Sequence, residues 1–187
     1  MKRSFLNGFL IGLLIFIVTN LLAACNTANA TPNYRATFQP EITKTEAGNT
    51  LIVTDNFIAV ILPADFMDTR SPWVPPVPPS GYWTPKVDQV LALESKLEEF
   101  VAQNGSRFNS GRAPSKEELS TYGRQYFGLT NRQGSFIIGT FVCPQSSEKF
   151  GWQNHVVAAK GGGDCQFGIW YDIDKQEFIS IMANSRE

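Results

Sequence analysis

Hydrophobic and polar positions change period several times along this chain. Over residues 5–18 apolar side chains follow one another almost without interruption, and the run closes in Leu22-Ala23-Ala24-Cys25. Leu51-Ile52-Val53 and Phe57-Ile58-Ala59-Val60-Ile61-Leu62 are β-branched and aromatic runs parted by Asp55-Asn56, the pattern of two short strands or one bent one. Further on, Val87, Val90, Leu91, Leu97, Phe100 and Val101 recur at three- and four-residue spacings, with Lys86, Glu94, Glu98 and Glu99 mostly elsewhere. This predicts an amphipathic helix of about five turns. Thr84-Pro85 offers a helix start and Asn104-Gly105 a stop. A second, shorter helix is expected from Ser115, because Glu118 stands three residues on at the capping-box spacing, with an end near Gly123 or Gly128.

The remaining runs, at 135–143, 155–160, 165–173 and 177–183, read as strands. In the third, Cys165, Phe167, Ile169, Tyr171 and Ile173 alternate with Gln166, Gly168, Trp170 and Asp172, so one face is core and the other wetter. Short intervals favour hairpins, with Gly161-Gly162-Gly163 as a tight turn. The fold class expected is therefore α+β, a long amphipathic helix packed on a four-stranded antiparallel sheet. In outline this is similar to cystatin-like folds, a likeness of shape that implies no activity.

Composition divides the chain further. Residues 1–24 carry Lys2 and Arg3 at the front, no acid, and the apolar run, which is an export signal. Leu22-Ala23-Ala24-Cys25 resembles the lipobox of bacterial lipoproteins, which implies diacylation of the Cys25 thiol and cleavage just before it. The competing reading is an uncleaved membrane anchor, since about 20 residues at about 1.5 Å each span roughly 30 Å of hydrocarbon. Either way the domain sits outside the cytoplasm, in the bacterial cell envelope, tethered to a membrane. Residues 25–48, rich in Thr, Asn and Ala, read as a lipid-anchored flexible spacer, and 49–187 as a single domain. Within it, 72–85 is a proline-rich connector containing Trp73, Tyr82 and Trp83, expected to lie extended.

Charge excludes one class of partner. The 187 residues carry 16 Lys+Arg against 17 Asp+Glu, without the clustered basic excess that neutralising phosphates demands, so no nucleic acid is expected. Once Cys25 is lipidated, two cysteines remain in an oxidising compartment. Cys143 and Cys165 are expected to pair, closing a loop of about 22 residues for about 3 kcal/mol on the chain-entropy estimate.

Candidate chemistry is sparse. His155 is the single histidine, with no second His, no H-E-x-x-H and no C-x-x-C beside it, so neither a metal site nor a cofactor is expected. Alternating acids in Asp172-Ile173-Asp174-Lys175-Gln176-Glu177 lack the glycine and later glutamate of an EF-hand and suit a hairpin turn. No nucleophile motif occurs and no catalytic residue is assigned. Trp152, His155 and Trp170 form the candidate binding surface on the sheet's open face.

A set of segments resembles a pattern found in small exported bacterial proteins without an assigned activity. They are Tyr82-Trp83-Thr84-Pro85, Leu93-Glu94, Tyr122-Gly123-Arg124-Gln125-Tyr126-Phe127-Gly128, Phe141-Val142-Cys143, Trp152, Gly162-Gly163-Asp164-Cys165-Gln166-Phe167, Tyr171-Asp172 and Phe178. Asn184-Ser185 stands where that pattern has Asn-Gly. The resemblance spans about half the chain and supports the Cys143–Cys165 pairing. The expected function is a lipid-anchored binding or accessory module with a protein partner or small ligand; the alternative is an extracytoplasmic enzyme whose site no motif reveals.

Overall fold

The computed structural model describes residues 39–70, 79–157 and 161–185. The leader 1–24, Cys25, most of the spacer and residues 71–78 of the proline-rich connector lie outside the described residues. The strands are β1 (Glu41–Lys44), β2 (Thr50–Val53), β3 (Ile58–Ile61), β4 (Gly81–Trp83), β5 (Gly123–Asn131), β6 (Gly134–Val142), β7 (Gln166–Asp172) and β8 (Glu177–Ala183). The helices are α1 (Ala64–Arg70), α2 (Val87–Gln103), α3 (Lys116–Ser120) and α4 (Pro144–Phe150).

All eight strands join one sheet, in the order β1-β2-β3-β5-β6-β7-β8 with β4 also on β5. The β3–β5 pairing is parallel and the others are antiparallel. β5 is the axis of this arrangement. β6 pairs along the whole of one edge, while β3 takes positions 123–126 and β4 positions 128–130 of the other.

Apolar side chains cover both faces. On one, Val90, Leu93, Leu97 and Val101 of α2 pack with Ile52, Ile61, Tyr126, Phe141, Phe167 and Ile169 of the sheet. On the other, Phe66 and Met67 of α1 join Val60, Phe127, Leu129, Ile138, Trp152 and Val157.

The expected four-stranded antiparallel sheet under a long helix, with its cystatin-like outline, is therefore incorrect. The sheet has eight strands, one pairing is parallel, and neither face is left open. The chief reason is β5, where a helix end was expected. Its sequence Gly-Arg-Gln-Tyr-Phe-Gly puts two long polar residues and two glycines into a central strand. Such residues are depleted from strands because their polar groups need partners once buried, and in β5 those partners come from α2, from α3 and from the loop at 152–157. Its glycines admit aromatic rings: a Cβ on Gly123 would lie 2.7 Å from Trp152 Cε2, and one on Gly128 would overlap the Trp83 indole.

Other expectations shift for local reasons. Residues 155–157 form no strand, since the backbone there hydrogen-bonds to a side chain rather than to a neighbouring strand. The glycine run consequently turns no hairpin; Gly161, Gly162 and Gly163 instead take φ of 90°, 89° and 55°, a region L side chains rarely adopt. β1 lies inside the stretch assigned to the spacer. All four of its residues are exposed, so no hydrophobic alternation marks it, and it is held by pairing with β2. α2 begins at Val87, not at Pro85, and the Thr84 hydroxyl accepts from Ala64 N at 3.0 Å, at the start of α1. α3 follows the capping-box expectation: Ser115 Oγ accepts from Glu118 N at 3.2 Å and Ser115 N donates to Glu118 Oε2 at 2.7 Å. Cys143 and Cys165 form a disulfide across 22 residues with Cα atoms 4.9 Å apart, joining the start of α4 to the turn before β7.

Candidate functional site

A cleft of about 480 Å³ opens between α2, α3 and the β2–β3 turn, within the range of small-molecule sites. Phe57, Leu91, Leu97 and Leu119 supply its apolar lining, and Glu94 and Arg124 its buried charges. Asp55, Glu98, Lys116 and Glu117 are exposed around it.

Two elements meet to build the charged floor. Glu94 is one residue past the buried Leu93 on α2, so its side chain is carried towards the sheet with the apolar stripe. Arg124 is the second residue of β5, a position shared with the core face through its partners Ala59 and Phe141. The Glu94 and Arg124 side chains are only 6% and 4% exposed, and Arg124 Nε lies 3.4 Å from Glu94 Oε1. Tyr126 donates its phenol to the same oxygen at 2.6 Å. Arg124 Nη2 donates to Leu119 O at 3.0 Å, and the guanidinium carbon lies 4.8 Å from the Phe57 ring centre and 5.7 Å from that of Phe141.

This leaves the guanidinium unevenly satisfied. Nη1 has no hydrogen-bond partner among the described residues, and Nε has only the long ion-pair contact to Glu94. Buried donors without acceptors are uncommon in native folds and each calls for an explanation. Burial raises the Glu94 carboxyl above its ordinary value, against the opposing pull of the Arg124 charge and of the hydrogen bond from Tyr126. Burial, with the neighbouring Glu94 charge, raises the Tyr126 phenol well above its ordinary value. A carboxyl perturbed by desolvation in a cleft marks a candidate site on physical grounds.

The residues singled out from the sequence lie elsewhere. Trp152 is buried against Gly123, and His155 is exposed in the turn after α4. Trp170 is half-buried on β7 and packs on Phe136, with ring centres 5.5 Å apart. Gly123 stands opposite Val142 and Trp170 opposite Ile138, four residues along β6, which separates the two tryptophans by about 13 Å along the strand direction. Trp152 and His155 are neighbours in one loop; Trp170 packs against the same apolar cluster as Trp152 but farther along the sheet, and Trp152 spends its indole on core packing. What holds that loop is Gln125, whose Nε2 donates to Trp152 O and to His155 O at 2.6 Å while its Oε1 accepts from Val157 N at 2.8 Å.

Of the acids of 172–177, Asp172 is occupied in the β7–β8 turn, where its Oδ1 accepts from Asp174 N and Lys175 N, each at 3.0 Å. No group of three or more His, Cys, Asp or Glu side chains that could hold a metal ion occurs among the described residues. No helix among them is long and apolar enough to cross a membrane.

Sequence reasoning missed the cleft because Glu94 reads as a solvated helix charge and Arg124 falls where the end of the second helix was expected. One signal was available: Leu93-Glu94 and Tyr122-Gly123-Arg124-Gln125-Tyr126 both belong to the segments that carry the family resemblance, and they converge here. Compared with known proteins, the chain matches no family model, and no curated protein or solved structure is significantly similar to it.

Proposed function

We propose that this protein is a lipid-anchored module of the bacterial cell envelope, tethered through diacylglyceryl-Cys25, whose folded domain binds a ligand in the α2–α3 cleft. The anchor rests on the basic, apolar leader and on Leu22-Ala23-Ala24-Cys25, since two acyl chains suffice for stable membrane association. The binding role rests on one observation above the others: a cleft of about 480 Å³ has a buried ion pair, Glu94 with Arg124, in its otherwise apolar lining.

Glu94 also supports a second reading, an enzyme using this carboxyl as a general acid, because burial favours its protonated form. The binding reading is preferred, since Oε1 of Glu94 is already engaged by Tyr126 and Arg124.

Two measurements test the proposal. Cys25→Ser should leave an unprocessed precursor that incorporates no labelled fatty acid, and acylation with cleavage at the unchanged bond would remove the anchor. For the cleft, the mature protein in detergent micelles should show shifted NMR signals at Leu91, Ser95 and Ser120 when titrated with the small-molecule fraction of envelope extract. Ser120→Trp, an exposed substitution in the cleft wall, should abolish those shifts. Spectra that do not respond in the unsubstituted protein would refute binding there.

A further inference from the structure

The segment joining α2 to α3, residues 104–115, is a strap laid against the ends of β7 and β8. Residues 106–112 are exposed apart from Phe108, which is 3% exposed and packs edge-on against Phe167 of β7, with ring centres 5.3 Å apart. One carboxylate takes two successive amides of the exposed stretch: Asn109 N donates to Asp164 Oδ1 at 2.5 Å and Ser110 N to Asp164 Oδ2 at 2.8 Å. The Asn109 side chain adds bonds to Asp164 Oδ1 and to Asn184 O.

Asp164 is the neighbour of Cys165, in the turn Gly163–Cys165 that the disulfide fastens to the start of α4. A covalent tie at one residue thus positions the carboxylate of the next. Hydrogen bonds also reach this turn, from the Tyr122 phenol to Asp164 O at 3.1 Å and from Gly163 N to Ser185 O at 3.2 Å. The sheet itself has a backbone link at the same place. Cys143 N donates to Cys165 O at 2.8 Å, extending the β6–β7 ladder past Val142 and Gln166, so the two cysteines stay side by side without their sulfur bond.

We propose that the Cys143–Cys165 bond is a redox latch on the strap: a dithiol reductant opens it, Asp164 gives up its two amides, and residues 105–112 come away while the sheet stays folded. This latch works whether or not the α2–α3 cleft holds a ligand. Cys165 is half-buried and Cys143 only 5% exposed, so the incoming thiolate attacks the Cys165 sulfur, expelling Cys143 as a thiolate and leaving a mixed disulfide. The reductant's second thiolate then attacks its own first sulfur, releasing Cys165 as a thiolate, and the reductant leaves as an internal disulfide. Two electrons pass to the cysteines, and the two protons shed by the dithiol end on their sulfurs. Ser146 Oγ, 3.3 Å from Cys165 Sγ, is placed to donate to the departing thiolate.

The test is amide order parameters by NMR on the mature protein in micelles, before and after dithiothreitol without denaturant. On reduction Asn109 and Ser110 should fall from about 0.85 to below about 0.6, while Ile138 and Ile169 of the central sheet stay near 0.85. Trypsin should then cut after the exposed Arg107 or Arg112 about tenfold faster, since cleavage follows the open population. Asp164→Ala with the disulfide intact should loosen Ser110 to the same extent, and reoxidation should restore the unsubstituted protein. Order parameters at Asn109 and Ser110 that ignore the redox state overturn the latch, as does a strap that stays rigid in Asp164→Ala. A fall shared by Ile138 and Ile169 also overturns it, because the bond would then hold the whole fold. So does a disulfide that dithiothreitol opens only in denaturant, since its sulfurs would be out of reach in the folded protein.

Discussion

Arg112 and Arg124 each face a glutamate, and the two pairs behave in opposite ways. Arg112 and Glu118 meet at the surface through a two-point contact, Nη1 to Oε2 at 2.7 Å and Nη2 to Oε1 at 2.8 Å, with water around both side chains. Hydrogen bonds from Arg112 and from the Ser115 backbone lower the Glu118 carboxyl to about 2. Arg124 and Glu94 lie in the interior with poorer geometry, and burial raises the Glu94 carboxyl in spite of its partner. The better-formed pair is the one with less consequence for the fold. A surface pair gains little, because water solvates both ions nearly as well as they solvate each other. In the interior the desolvation cost is already incurred, so each partner depends on the other.

The largest effect should come from breaking the interior pair. Arg124→Met leaves Glu94 without its cation and should lower the free energy of unfolding by about 3 to 5 kcal/mol, read from urea denaturation. Adding Glu94→Gln to that variant should recover much of the loss, because the uncompensated charge goes with it. A mild effect for Arg124→Met alone would mean the pair is solvated and the contrast false.

A smaller effect lies in the pH profile, where the two glutamates act in opposite directions and in different windows. Glu94 binds its proton more tightly folded than unfolded, so stability should fall as pH rises from the ordinary value of 4.5 through the raised folded value. Glu94→Gln should flatten this window, and an unchanged slope would reassign it to another group. Glu118 is the reverse case: its contribution is present above 4.5 and lost as pH falls towards about 2, a loss that Glu118→Gln should remove. The smallest expected effect is Arg112→Ala near neutral pH, a barely measurable change in Tm. If Arg112→Ala and Arg124→Met shift Tm equally, burial is not what distinguishes the pairs.

Residues whose patterns are local were legible. α2 appears because Val90, Leu97 and Val101 recur at helical spacing, α3 because Ser115 and Glu118 satisfy one another within a single turn, and the β7–β8 hairpin because the side chains of β7 alternate and a short turn follows. The pairing of Cys143 with Cys165 followed from how few thiols an exported chain would keep. β1 and β5 were not legible, the first because an edge strand can be wholly exposed, the second because its polar residues are paid for by partners far along the chain.

The candidate site, too, is built from residues far apart in the chain. Glu94, Arg124 and Tyr126 are separated by up to 32 residues, and no local rule says that they share one oxygen. Nor does spacing reveal that Trp152, aromatic and near a histidine, is committed to the glycine of β5 and not to a ligand.

By itself the sequence determined α2, α3, the β7–β8 hairpin and the thiols available to pair, since each depends on neighbours within a few residues or on a simple count. Only the tertiary structure decided that β3 and β4 share one edge of β5, and so that Arg124 is buried beneath α2. Burial is a property of what covers a residue, and the elements covering Arg124 come from distant parts of the chain.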